Sequence, residues 1–289
     1  MGFRTCSKLA RSKPGEIQQA LGRAVIDCVD DEPSWRLFAD ELRKQASGGP
    51  WKKDSSGRPR PDDTKLLVEF VTALAKSRRP PEKTSTKGLD RVLDLLTDGC
   101  LKHDLKVNTW RPGPKPTEAR FKQEALEPFV CRHREKLTDL HVVAPPWAKR
   151  GKPPILCASH GGRRELNCRD CWKESKCWAS VYVFGKQHNF DMAARSSELR
   201  DNKAPRSETR TTDILVVEVK VVKRPFTRPD PRFIGQLLLA RSRHDRVAGI
   251  CAMLPMASGQ TSLDGAEILG RISDRIGVQF AALDLRACS

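Results

Sequence analysis

Apolar residues recur at the three- and four-residue spacing of one helix face through much of the first hundred positions. Between Glu16 and Asp30 they are Ile17, Ala20, Leu21, Ala24, Val25 and Cys28, and Trp35, Phe38, Ala39 and Leu42 repeat the pattern. Leu66, Leu67, Phe70, Val71 and Leu74 do so again, followed by Leu89, Val92, Leu93 and Leu96. Segments rich in proline, glycine and cations interrupt the pattern at 47–61, 77–86 and 111–117. A small helical bundle followed by a linker is predicted, a packing or protein-docking module in preference to a DNA-binding one. Another helix is expected from Glu118 to Leu137, carrying Phe121, Leu126, Phe129, Val130 and Leu137, with Pro128 as an interruption or its true start.

Further along, the period shortens. The runs "SVYVFG" from Ser180, "NFDMAA" from Asn189, "DILVVEVKVVK" from Asp213 and "VAGICAML" from Val247 read as strands, with a helix from about Arg232 to His244 before the last. Helix, three strands, helix, strand is the order of a mixed α/β core. In the run from Asp213, alternation puts Leu215, Val217, Val219 and Val221 on the face expected to enter the core. Ile214, Val216, Glu218, Lys220 and Val222 share the other face. Two charges on an apolar strand cost several kcal/mol without partners, and partners from outside the chain are expected.

Composition changes the picture in one direction. Among 289 residues, 53 Lys plus Arg stand against 36 Asp plus Glu, a formal net charge of +17 that favours a polyanionic partner, nucleic acid before a membrane surface. No apolar run approaches the ~18 residues of a spanning helix and the start has no apolar signal region, so a cytoplasmic protein is expected. Cys28, Cys100 and Cys251 lie among apolar residues and read as core thiols.

Glu218 and Lys220 stand roughly 6–7 Å apart at Cα, the span over which a metal ion and its water are shared. Mg²⁺ usually takes one or two protein carboxylates, and Asp191 in "NFDMAA" is a better second carboxylate than Asp213, which falls on the opposite strand face. Asp191, then Glu218-Val219-Lys220 on the next strand, then a helix bearing Gln236, resembles the PD-(D/E)XK, or restriction-endonuclease-like, nuclease superfamily. The resemblance spans about residues 118–254 and implies a mixed sheet flanked by helices. It also implies that Asp191, Glu218 and the Val219 carbonyl bind Mg²⁺ or Mn²⁺, and that Lys220 orients or activates the attacking water. Gln236 alone carries over from the branch with a Gln-x-x-x-Tyr helix, since Ala240 stands at the tyrosine position. An acidic residue is common on the first helix, and Glu124 or Glu127 would fill that role.

The segment "CASHGGRRELNCRDCWKESKCW" holds Cys157-x-x-His160, Cys168-x-x-Cys171 and Cys177, five residues of which four suffice for tetrahedral zinc. An iron–sulfur cluster and unliganded thiols are the alternatives; the clusters of some nuclease relatives use cysteines on both sides of the catalytic motif, whereas these all precede it. Arg163, Arg164 and Arg169 lie within the segment, where phosphate contact and a plain solvated loop are the two readings. The expected organisation is a helical domain over residues 1–110, available to a protein partner, and a nuclease-like domain over 111–289 with a zinc knuckle at about 155–178. Its expected activity is Mg²⁺- or Mn²⁺-dependent phosphodiester hydrolysis, on DNA before RNA, as an endonuclease of restriction, defence, recombination or mobile-element biology. The alternative is a zinc-containing nucleic-acid-binding or assembly subunit with an inactive nuclease core.

Overall fold

The computed structural model describes residues 9–48, 62–77, 80, 87–97, 101, 103, 117–126, 129, 133, 140–143, 179–196, 210–222, 228–253 and 264–284. A 3-10 turn at Leu9–Arg11 leads into α1 (Pro14–Cys28), α2 (Glu32–Ala46), α3 (Thr64–Lys76) and α4 (Lys87–Thr97). Helix α5 (Glu118–Phe121) starts at Thr117, whose hydroxyl accepts from the Arg120 N–H, and continues as a wide π-type turn over Lys122–Leu126. Strand β1 (Leu140–Val143), the hairpin β2–β3 (Val181–Val183, Lys186–His188), β4 (Met192–Ser196) and β5 (Thr211–Val222) follow. The chain closes with α6 (Pro231–Arg243), β6 (His244–Met253), α7 (Asp264–Ile276) and β7 (Gln279–Asp284).

Five strands form one mixed sheet in the order β1-β4-β5-β6-β7. The pairs β1–β4 and β4–β5 are antiparallel, whereas β5–β6 and β6–β7 are parallel. Parallel neighbours need a crossover, and α6 and α7 supply the two. The expected mixed α/β class is therefore observed, but its strands differ from the sequence reading. "SVYVFG" does not enter the sheet: β2 pairs with β3 through Phe184-Gly185, both at positive φ (50° and 68°), the geometry of a two-residue hairpin turn. The sheet is extended instead by β1, a four-residue run where no strand was expected.

Both faces of β5 are covered, not one. Ile214 and Val216 pack with Ile17, Leu21, Trp35, Phe38, Phe70, Ile234 and Leu237, from α1, α2, α3 and α6. Leu215, Val217, Val219 and Val221 pack with Leu89, Val92, Leu93, Leu96, Phe121 and Leu126, from α4 and the α5 region. The four N-terminal helices do not make one bundle, since α4 lies on the opposite sheet face from α1–α3. Helix α1 docks on α6 with backbones touching: a Cβ at Gly22 would stand 1.6 Å from the Pro231 carbonyl oxygen, and one at Gly235 1.8 Å from that of Gln18. Cys28 and Cys251 are buried and free, and burial pushes both thiols up to about 12. Cys100 lies outside the described residues.

Candidate active site where β4 and β5 part

Residue 192 faces residue 217 across the β4–β5 ladder, and β4 begins there, so β5 continues past its neighbour. An extended backbone without a ladder needs other partners. Asp191, at the foot of β4, provides one: its Oδ2 accepts the Val219 N–H at 2.9 Å, while its own N–H donates to Glu218 Oε2 at 3.2 Å. A residue's N–H and C=O leave a strand at the same edge, so the Val219 carbonyl is directed toward the Asp191 side.

Helix α6 lies over the strand face that bears Glu218 and Lys220. Gln236 Nε2 donates to Glu218 Oε1 at 2.5 Å, and Asp230, the N-cap of α6, accepts from Lys220 Nζ at 2.9 Å. Asp230 holds the helix start through the Arg232 N–H at 2.8 Å, with Pro231 following it. From the other side, Glu118 on α5 accepts from Lys220 Nζ at 3.0 Å. Lys122, one helical turn on, bonds Asp191 Oδ1. The strand charges thus find partners within the chain, where outside partners were expected.

The side-chain exposure grades from a dry interior to a wet rim. Lys122 is 7% and Asp191 16% exposed, against 27% for Lys220, 37% for Asp230 and 40% for Glu118. Burial, followed by the charge of Asp191, pushes the Glu218 carboxyl well above its ordinary range. Burial also raises Asp191, although Lys122 and the Val219 N–H oppose it. At Lys220, burial pulls downward but is outweighed by the hydrogen bonds to Asp230 and Glu118, which hold its pKa above the usual lysine value. Asp230 is depressed: burial would raise it, and Lys220 and the helix N–H groups together prevail.

Asp191, Glu218, Val219, Lys220 and Gln236 therefore meet, while other expected residues lie elsewhere. Glu124 is half exposed and paired with Arg120 at 2.8 Å, so the acidic residue that α5 brings to the site is Glu118. Glu127, the ligand candidates Cys157, His160, Cys168, Cys171 and Cys177, and the arginines Arg163, Arg164 and Arg169 lie outside the described residues. Asp213 lies within β5, five residues before Glu218, where the pairing register with β6 shifts between Thr211 and Leu215. The sequence reading missed Glu118, Lys122 and Asp230. Two signals were present: the four-residue spacing of Glu118 and Lys122, and the Asp-Pro pair that opens α6.

Four carboxylates (Glu118, Asp191, Glu218, Asp230) against two ammonium groups (Lys122, Lys220) leave two negative charges in excess when all are ionised. Among the described residues no three His, Cys, Asp or Glu side chains close on a point as a metal cage. Two carboxylates and a carbonyl, all hard oxygens in a net-negative pocket, instead fit an ion that keeps several waters and takes its remaining ligands from substrate, as Mg²⁺ does. The chain matches no family model, no curated protein and no solved structure.

Proposed function

We propose that this protein is a divalent-metal-dependent nuclease of the PD-(D/E)XK kind, acting on DNA. One observation carries the reading: Asp191, Glu218, Lys220 and Gln236, spread over 46 positions on β4, β5 and α6, converge where two strands part. The order α5, β1, β4, β5, α6, β6, and the excess negative charge of the pocket, support it. Asp191, Glu218 and the Val219 carbonyl would hold Mg²⁺ or Mn²⁺. When bound, such an ion supplies Lewis-acid stabilisation of charge developing on phosphoryl oxygens and acidifies its water.

The chain's own groups do the rest. Lys220, held charged by Glu118 and Asp230, donates hydrogen bonds to the attacking water and orients it; with its proton retained near neutral pH it is not the base. Gln236 fixes one Glu218 oxygen and leaves the other toward Asp191. The surplus of cations in the chain attracts the phosphate backbone. Restriction, defence, recombination and mobile-element biology are the settings such chemistry serves, and the cysteine segment is read as a zinc-binding insertion.

Incubation with linear, circular and single-stranded DNA across a Mg²⁺ and Mn²⁺ titration tests the reading. Divalent-dependent cleavage is expected, abolished by Asp191→Ala or Glu218→Ala with DNA binding largely kept. Cleavage that survives both substitutions refutes it. A second reading, a nucleic-acid-binding or assembly subunit with an inactive core, is favoured by the Lys122–Asp191 ion pair, which compensates Asp191 without metal. Binding to DNA with no cleavage under any condition supports that reading.

A further inference from the structure

The Lys122 side chain is the most deeply buried ammonium of the site, and nothing in the proposed reaction uses it. It reaches Asp191 from the wide turn that follows α5, a local departure from α-helical winding that recurs at functional sites. Its side chain is only 7% exposed and it follows Phe121, a residue buried in the second core, so the charged tip is held largely out of water. Asp191 Oδ1 accepts from this ammonium, Oδ2 from the Val219 N–H, and each Glu218 oxygen from Gln236 or Asp191. Of all these donors Lys122 alone carries a charge.

From this geometry, and resting on the metal-dependent reading above, we infer that the Lys122 ammonium holds the place of the divalent ion at Asp191, so that ammonium and ion compete for one carboxylate. An ammonium and a divalent ion on the same carboxylate oxygen repel each other strongly where little water screens them. When both are ionised, Asp191 and Glu218 carry two negative charges; Lys122 offsets one, and a divalent ion would offset both. Ion entry therefore requires the ammonium to leave Oδ1. The pair acts as a threshold that keeps the free protein poorly loaded, while protecting two buried carboxylates from facing each other uncompensated.

Mn²⁺ binding to the free protein, followed by electron paramagnetic resonance and by calorimetry, measures the competition without reference to cleavage. Lys122→Gln keeps a hydrogen-bond donor near Asp191 and removes the charge. It is expected to tighten Mn²⁺ binding by about tenfold or more, the scale on which a neighbouring charge acts on a carboxylate. Mn²⁺ should also raise the melting temperature of the variant more than that of the wild type. A second measurement needs no variant: acylation of Lys122 by an amine reagent, read by mass spectrometry, should increase when Mn²⁺ is added to the wild type. If Mn²⁺ binds wild type and Lys122→Gln equally and Lys122 reactivity does not change, the inference falls while the metal reading stands. If Mn²⁺ binds neither protein, and Asp191→Asn changes nothing, both fall.

Discussion

Lys220 sits between Glu118 and Asp230, and this double hold decides what it contributes to a reaction. A lysine kept above its ordinary pKa orients and stabilises but does not accept protons, so its loss should slow chemistry without weakening substrate attraction. Lys220→Met is expected to lower single-turnover cleavage at saturating protein by a factor on the order of 10² or more. A Lys220→Met protein that cleaves at the normal rate once saturated contradicts the role. Of the residues meeting here, Glu218 and Lys220 were legible from the strand pattern itself, whereas the roles of Asp191 and Gln236 were reached through the family resemblance. Glu218 and Lys220 break an alternating strand, and Gln236 rides a helix that follows it. The four-residue spacing of Glu118 and Lys122 puts them on one helix face but does not say what they meet, because their partners Lys220 and Asp191 lie 102 and 69 positions away.

At the scale of elements, the site depends on how α6 is seated. Its first turn holds Asp230 against Lys220 and its second holds Gln236 against Glu218, while α1 presses on the same stretch through Gly22 and Gly235. Gly22→Ala should drive a methyl into the Pro231 carbonyl and cost on the order of 3 kcal/mol, read as a fall in denaturation midpoint, with cleavage reduced in whatever fraction stays folded. Unchanged stability would mean that the helices are not in backbone contact. Two buried histidines tie other elements together. His188 of β3 meets Gln18 of α1 at 3.2 Å, and His244, heading β6, contacts the Thr211 hydroxyl at 2.6 Å and the Ala179 carbonyl at 3.0 Å. Burial pushes His188 down to about 4; burial and then the Arg243 charge push His244 down to about 3. Both pKa values lie below the unfolded value of about 6.5, so the unfolded chain binds more protons in the interval and stability is lost as pH falls through it. The raised Glu218 and Asp191 carboxyls act with the opposite sign, so the histidine share is read as a difference: in denaturation at pH 7, 6 and 5 the stability of His188→Gln should fall less steeply than that of the wild type, by up to about 1.4 kcal/mol per pH unit. The helices were legible because their apolar stripes run for several turns. Strand β1 was not, since four residues carry too little pattern, and the sheet partner of β4 is set by tertiary pairing rather than by "LHVV" itself.

For the whole molecule the dominant quantity is charge. A net +17 acts at long range on any polyanion, yet the candidate site at the foot of β4 is locally negative when its groups are ionised, so under the proposed function attraction and chemistry would come from different residues. Binding should then follow counterion release, with the logarithm of the association constant falling linearly with the logarithm of salt concentration. If Arg163 and Arg169 in the cysteine segment contact phosphate, Arg163→Ala and Arg169→Ala should each weaken DNA binding and flatten that slope by roughly one unit. Because Lys220 is engaged with two carboxylates of its own chain, Lys220→Met should leave the slope unchanged while it slows cleavage. Fluorescence titrations of a labelled duplex at several salt concentrations, beside single-turnover rates, separate the two effects. A slope that shifts with Lys220 and not with the arginines would place the phosphate contacts at the Lys220 site, and would overturn the proposed division between cations that bind phosphate and a negative site that acts on it.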